Sequence, residues 1–133
     1  MIFMDNLDPN STKALIKNKY INLTTFKKDD SPVSTPVWFV YDQVTNKIFM
    51  TTSKKAGKLK RLKHRDNVEF AFCTATGKVK GQYFKGSCHE LNQNEIDPAH
   101  NLLKKKYGLI FKIWATFYLR KHARTYLEMM FYI

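Results

Sequence analysis

Residues 51–61 carry the side chains best suited to binding an anion. Thr51, Thr52 and Ser53 place three hydroxyl groups at the end of an apolar, strand-like run, and a basic segment follows them. Lys58 and Arg61 stand three positions apart, so a helix would present both on one face. Hydroxyl groups, backbone N–H groups at a helix start and cationic side chains all bind phosphate. The pattern therefore predicts a phosphate pocket, and a solvated basic helix face is the alternative of equal weight.

Other kinds of chemistry receive little support. Residues 51–59 do not form a P-loop, because the leading glycine is missing and Leu59 stands where serine or threonine must bind magnesium. Cys88 and His89 are neighbours in a predicted strand and would point to opposite faces, which excludes a paired nucleophile and base. No metal-ligand spacing joins the four histidines, His64, His89, His100 and His122. We predict no catalytic acid-base residues and no metal site, while a haem ligand among the histidines stays open.

The charge of the chain indicates an anionic partner. The sequence holds 23 Lys and Arg against 11 Asp and Glu, a formal net charge of +12. A nucleic-acid surface would need exposed aromatic side chains beside the basic stripe. The strand aromatics instead alternate as core residues do, and no RRM, KH or zinc-finger motif is present. The net charge is therefore the only support for nucleic-acid binding, and we disfavour that function.

The same totals predict a single cytoplasmic domain spanning residues 1–133. The length fits one core, and Cys73 and Cys88 form no CxxC pair. Asp5 stands where a signal peptide would continue its apolar run. The longest apolar-rich run, residues 107–119, is shorter than the roughly 20 residues of a membrane helix. We interpret that run as a covering helix and expect no membrane association.

Hydrophobic alternation and turn residues predict six strands and several helices. The predicted strands are residues 20–26, 33–41, 47–52, 67–74, 79–91 and 124–133, with bends or bulges at Gly81 and Gly86. The predicted helices are residues 8–19, about 53–64, 97–108, and a further helix through Trp114. Six antiparallel strands protect their edges best by closing into a barrel, so we expect a mainly β fold with peripheral helices.

Three segments resemble a known family. The sequences "YINLTTFKKDDSPVSTPVWFVYD", "KIFMTTSKKAGKLKRLKHRDNVEFAFC" and "GKVKGQYFKGSCHEL" are similar to the flavin-binding split barrels of the pyridoxamine 5'-phosphate oxidase superfamily. The nearest branch in pattern is the coenzyme F-420-dependent oxidoreductases. The resemblance covers about residues 19–91 and implies a six-stranded antiparallel FMN-binding split β-barrel.

The resemblance also implies a site and an activity. It implies a homodimer with FMN or coenzyme F-420 at the subunit interface, and hydride transfer to a small organic substrate or from a nicotinamide. The cofactor phosphate would contact Thr51, Thr52, Lys58 and Arg61. The ring system would lie along the second strand, beside Ser34, Thr35, Pro36 and Trp38. The alternative is a binding protein without turnover, which would carry flavin or haem or associate with nucleic acid.

Overall fold

The structure is a computed structural model that describes residues 9–121 and 124–132. Within these ranges six strands and three helices follow one another: α1 (Pro9–Lys17), β1 (Tyr20–Phe26), β2 (Pro32–Asp42), β3 (Lys47–Ser53), α2 (Gly57–His64), β4 (Asn67–Cys73), β5 (Phe84–Glu90), α3 (Ile96–Lys121) and β6 (Arg124–Tyr132). A short 3-10 turn, Gln93–Glu95, precedes α3. The backbone of α3 breaks at Gly108, whose φ of 59° is available to glycine at low cost.

The six strands form a closed antiparallel barrel in the order β1-β2-β3-β6-β5-β4, which confirms the predicted fold class. Alternate residues of every strand point inward and fill the interior. Phe39, Phe70 and Phe131 are fully buried there. Leu59 and Leu62 of α2 join this inner core. A second cluster lies outside the barrel, where α3 packs Ala99 and Leu103 against β2 and β3.

Most of the predicted elements are confirmed. The opening helix, the strands at 20–26, 33–41, 47–52, 67–74 and 124–132, and the two helices on either side of Gly108 are all present. Asp8 and Ile133, which belonged to predicted elements, lie outside the described residues. Within the described ranges, no helix is long and apolar enough to cross a membrane.

The predicted start of the basic helix, near Ser53, was wrong. Ser53 is the last residue of β3 and pairs with Arg124, while α2 begins at Gly57. The carbonyl of Ser53 accepts the N–H of Ala56 at 3.0 Å, and its hydroxyl accepts the N–H of Lys55 at 3.1 Å. These bonds form a turn between strand and helix. The three hydroxyl residues therefore belong to a strand end and not to the first turn of the helix.

The prediction of one long strand over residues 79–91 was also wrong. Only Phe84–Glu90 forms β5, because Gly81, at φ 129°, turns the chain and Val79 makes a single bridge to Cys73. Gly86 is not a bulge, since it pairs in regular register with both neighbouring strands. A Cβ at Gly86 would lie 2.7 Å from the Met130 carbonyl, so glycine is required there by close approach of the backbones.

Strands β2 and β3 of the barrel pair over only part of their lengths. These strands pair only from Phe39–Met50 to Asp42–Lys47, although β2 continues to pair with β1 and β3 continues to pair with β6. Beyond the Phe39–Met50 pair, the two strands therefore part. Pro36 fits the freed part of β2, because proline has no N–H to donate to a neighbouring strand.

Candidate functional site

A cavity of about 570 Å³ occupies the place where β2 and β3 part. One side is formed by residues of β2 and the other by the end of β3, while α2 and β6 each contribute a cation. The lining residues are Tyr20, Pro36, Val37, Trp38, Thr51, Thr52, Ser53, Lys58, Ala75 and Arg124. Five of the predicted site residues are thus brought together, namely Pro36, Trp38, Thr51, Thr52 and Lys58. We call this space the β2–β3 cavity.

Lys58 is a buried cation in the β2–β3 cavity. Only 8% of the residue is exposed, and no carboxylate among the described residues forms an ion pair with it. Burial lowers the pKa of its ammonium group to about 8, and the positive charges of Arg61 and Arg124 act in the same direction. A buried ammonium without a counter-ion is costly, so an anion in the cavity would be favoured.

Arg124 adds a second cation that the sequence did not reveal. Its Nε donates to Thr51 Oγ1 at 3.2 Å, and its backbone pairs with Ser53. Arg124 is the first residue of β6, some seventy positions after Thr51. Thr51 and Arg124 come together only because β6 pairs with β3. In the sequence, the sole sign of this contact is an arginine at the start of the last predicted strand.

Hydrogen bonds hold the β3 side of the cavity in place. The hydroxyl of Thr51 donates to the Thr125 carbonyl at 3.2 Å, and Thr51 lies opposite Tyr126 in the β3–β6 pair. The phenol of Tyr126 is 2.5 Å from Nδ1 of His100 on α3. Burial raises the pKa of Tyr126, so its hydroxyl stays protonated at neutral pH. The wall that presents Thr51 and Arg124 is therefore tied to α3.

Trp38 forms a flat wall on the β2 side. Its indole stacks on the ring of Tyr107, with centroids 4.7 Å apart and planes at 11°. The Tyr107 hydroxyl accepts the Phe39 N–H at 2.9 Å and lies 2.6 and 2.7 Å from the carbonyls of Lys19 and Phe39. These bonds fix the tyrosine, and the stack fixes the indole. Tyr107 was not among the predicted site residues.

Three predicted site residues do not line the β2–β3 cavity. Arg61 donates from Nε to Thr25 Oγ1 at 2.7 Å and borders a neighbouring cavity of about 400 Å³ beside Phe26. The Ser34 hydroxyl is bonded to that of Thr24 at 2.7 Å. Thr35 is paired with Leu23 of β1. Arg61 still acts on the cavity through its charge, which helps to lower the pKa of Lys58.

The β2–β3 cavity offers neither an acid-base pair nor a metal site among the described residues. Its lining residues in the described chain include neither histidine nor carboxylate, and the same part of the chain holds no cluster of three potential metal ligands. Cys88 is fully buried, and burial raises the pKa of its thiol to about 12, so it stays protonated. The site can bind and orient an anion beside an aromatic wall.

One family model and several solved structures match the chain. A family model described as Pyridoxamine 5'-phosphate oxidase matches residues 7–130, which is nearly the whole chain. No curated protein matches the sequence significantly.

Solved structures share the fold at low sequence identity. The heme storage protein HutZ from Vibrio cholerae superposes with a TM-score of 0.68 at 14% identity, covering 96% of this chain and 91% of its own. A FAD-binding protein from Mesorhizobium loti superposes with a TM-score of 0.61 at 16% identity, covering 93% of this chain and 87% of its own. At such identities the likeness shows the fold alone.

Proposed function

The chain belongs to the pyridoxamine 5'-phosphate oxidase family, and we propose that it binds FMN or coenzyme F-420 in the β2–β3 cavity and acts as an oxidoreductase. The observation that carries the proposal is the buried ammonium of Lys58, which forms no ion pair among the described residues and lies in a cavity with an aromatic wall. Both cofactors combine a phosphate group with a planar ring system. The residues present therefore fit the two parts of such a molecule.

The phosphate is proposed to lie between β3, α2 and the start of β6. Lys58 and Arg124 supply two positive charges there, and Thr51 and Thr52 supply hydroxyl groups. Charge-assisted hydrogen bonds of this kind are shorter and stronger than neutral ones. The phosphate would also compensate the buried charge of Lys58. The desolvation cost of that charge would then fall on binding, which adds to the affinity for the ligand.

The ring is proposed to lie against Pro36 and Trp38. The stack on Tyr107 holds the indole in one orientation before the ligand arrives, which lowers the entropy lost on binding. The cavity does not include Ser34, Thr35 and Arg61. We propose that these residues contact parts of the ligand that extend along β2, or that they support the cavity wall from behind.

The chemistry would come from the bound cofactor, which exchanges a hydride with a small organic substrate or a nicotinamide. The chain itself would bind the phosphate, orient the ring and exclude water from one of its faces. Those tasks need no acid-base pair, and none lines the cavity among the described residues.

A homodimer with the cofactor at its interface is part of the proposal. Large apolar side chains remain exposed on the described chain, including Tyr83, Met130 and Tyr132, at 46%, 52% and 57% exposure. A second copy that covers such side chains would gain the free energy of apolar burial. Light scattering at several protein concentrations tests whether the protein forms a dimer, and a monomer at every concentration would contradict the proposed homodimer.

A titration of purified protein with FMN and with coenzyme F-420, monitored by fluorescence, tests whether the protein binds either cofactor. We expect at least one of them to bind with a Kd well below 1 mM, which corresponds to more than about 4 kcal/mol of binding free energy. Lys58→Met should weaken FMN binding at least tenfold, whereas Lys60→Met, which removes an exposed cation of the same helix, should not. Binding of neither cofactor would overturn the proposal.

Absorption spectroscopy separates the alternatives that remain within this fold. The purified protein should show a flavin or deazaflavin spectrum, or take one up from solution. A spectrum of haem, with no uptake of either flavin, would instead favour a haem carrier. Reduction of the bound cofactor by a nicotinamide, measured in a stopped-flow instrument, distinguishes an oxidoreductase from a flavin carrier.

A further inference from the structure

We propose that Lys58 is also a reactive amine, which forms an imine in the β2–β3 cavity with aldehydes that carry a phosphate or carboxylate group. This activity uses the same cavity as the proposed cofactor but requires no flavin. It goes beyond the proposed function, and either can fail without the other.

The position of Lys58 supports the proposal. It lines a cavity of about 570 Å³ although only 8% of the residue is exposed, so a small ligand inside the cavity can reach a side chain that bulk solvent barely contacts. Arg124 and the hydroxyls of Thr51 and Thr52 line the same space. An anionic group held by them would place an attached carbonyl beside the amine, and Trp38 provides a wall for an aromatic ring. Holding two reactants side by side raises their effective concentration greatly.

The electrostatics of the cavity keep the amine nucleophilic. Only a neutral amine attacks a carbonyl, and desolvated lysines beside other cations are the ones that form imines. Because the pKa of Lys58 is lowered to about 8, about half of it is neutral at pH 8, against well under 1% for an exposed lysine. The nearby charges of Arg61 and Arg124 that lower this pKa also attract the anionic aldehyde.

Lys106 has a lowered pKa like that of Lys58 but lies outside the β2–β3 cavity. Burial lowers its pKa to about 8 as well. Its Nζ, however, donates to the Asn18 carbonyl at 2.6 Å and lies 3.8 Å from the centroid of the Phe39 ring. These contacts hold the ammonium in a structural role outside the β2–β3 cavity. Lys106 is therefore an internal control with a similar pKa outside the β2–β3 cavity.

The proposed step is balanced without an added oxidant or reductant. The Nζ lone pair of Lys58 attacks the carbonyl carbon and forms a carbinolamine. The carbonyl oxygen then leaves as water with the two protons of the amine, and a carbon–nitrogen double bond remains. Sodium cyanoborohydride, added as a trap, would deliver a hydride to that carbon while the nitrogen takes a proton from water, which converts the imine into a stable secondary amine.

The test uses the wild-type protein, 4-formylphenyl phosphate as the aldehyde and cyanoborohydride as the trap, at pH 8. Peptide mapping by mass spectrometry measures the labelling of each lysine over time. We expect Lys58 to be labelled at least tenfold faster than Lys106 and Lys60. With 4-methoxybenzaldehyde, which has no anionic group, the advantage of Lys58 should fall at least tenfold, and inorganic phosphate should protect Lys58 from the anionic aldehyde.

Three results would overturn the proposal. Labelling of Lys58 no faster than that of exposed Lys60 would show that the cavity does not promote the reaction. Equal labelling of Lys58 and Lys106 would show that the lowered pKa acts without the cavity. Equal rates with the anionic and neutral aldehydes would show that the cations do not recruit the substrate. None of these readouts depends on flavin binding.

Discussion

The indole of Trp38 and the phenol of Tyr107 stack with their centroids 4.7 Å apart, and this contact joins the wall of the β2–β3 cavity to α3. Tyr107 stands directly before Gly108, where the helix backbone breaks. Its hydroxyl is bonded to main-chain groups of Phe39 and Lys19. A residue far from the cavity in sequence thus orients the aromatic side chain that is proposed to contact the cofactor ring.

Two substitutions of Tyr107 should separate the effect of its stack on Trp38 from the effect of its hydrogen bonds. Tyr107→Phe keeps the ring and leaves the buried Phe39 N–H without its acceptor, so we expect a loss of stability of about 1–3 kcal/mol with little change in FMN affinity. Tyr107→Leu also removes the stack, and FMN affinity should then fall several-fold. Denaturant unfolding and FMN titration measure the two effects. Equal FMN affinity in wild type and Tyr107→Leu would refute the role assigned to the stack.

Lys58 should destabilise the protein when no ligand is bound. Its pKa is lower in the folded chain, at about 8, than its ordinary value of 10.5, so the unfolded chain binds more protons between these pH values. The contribution of Lys58 to the free energy of unfolding therefore rises as pH increases from about 8 to 10.5. Below pH 8 the cost of the buried charge is fully present, on the order of 3 kcal/mol.

Lys58→Met should accordingly stabilise the ligand-free protein by about 1–3 kcal/mol at pH 7, while it weakens FMN binding. Urea denaturation at pH 7 and pH 10 measures the effect, and the gain should be smaller at pH 10. Lys60→Met, at an exposed position, should change stability by less than about 0.5 kcal/mol. A destabilised Lys58→Met protein would show that Lys58 has a counter-ion in the folded chain.

Arg124 should contribute to affinity through its charge. Arg124→Gln keeps a hydrogen-bonding side chain beside Thr51 but removes the cation, so we expect the Kd for FMN to rise about tenfold, or about 1.4 kcal/mol. Lys85→Gln is the matched control, because Lys85 is an exposed cation on a neighbouring strand. Titration at one ionic strength compares the three proteins. An equal loss in both variants would indicate a general effect of net charge.

Gly86 should be required where β5 and β6 meet. An added Cβ would lie 2.7 Å from the Met130 carbonyl and 3.2 Å from the Met129 side chain. Because the first of these contacts is with backbone, we expect Gly86→Ala to cost about 2–4 kcal/mol. Gly57→Ala is a useful comparison, since its Cβ would meet only the flexible end of Arg61, at 2.9 Å, and should cost less. Thermal unfolding measures both, and the reverse order would contradict the register of the β5–β6 pair.

Much of the barrel could be predicted from the sequence, because strand alternation is a local signal. Two errors had causes that the residue pattern could not show. Ser53 reads as a helix start, but its pairing with Arg124 makes it a strand end. Residues 79–83 continue an alternating pattern, but the turn at Gly81 removes them from β5. In both places tertiary contacts or a backbone angle outweighed the residue pattern.

The site was predictable to the extent that it lies within single segments. Thr51, Thr52 and Lys58 follow one another in the chain, and Pro36 and Trp38 share β2, so pattern and resemblance could name them. Arg124 and Tyr107 reach the cavity region only through the pairing of β6 with β3 and the packing of α3 on β2. Conversely, Arg61 is near Lys58 in sequence but is bonded to Thr25 instead.

The central claim is that the β2–β3 cavity recognises the phosphate of a flavin through Lys58. Calorimetric titration with FMN and with riboflavin, which lacks the phosphate, tests it most directly. We predict that wild-type protein and Lys60→Met bind FMN at least tenfold more tightly than riboflavin, and that Lys58→Met loses this preference. Equal affinity of the wild-type protein for the two molecules, or an unchanged preference in Lys58→Met, would contradict the account.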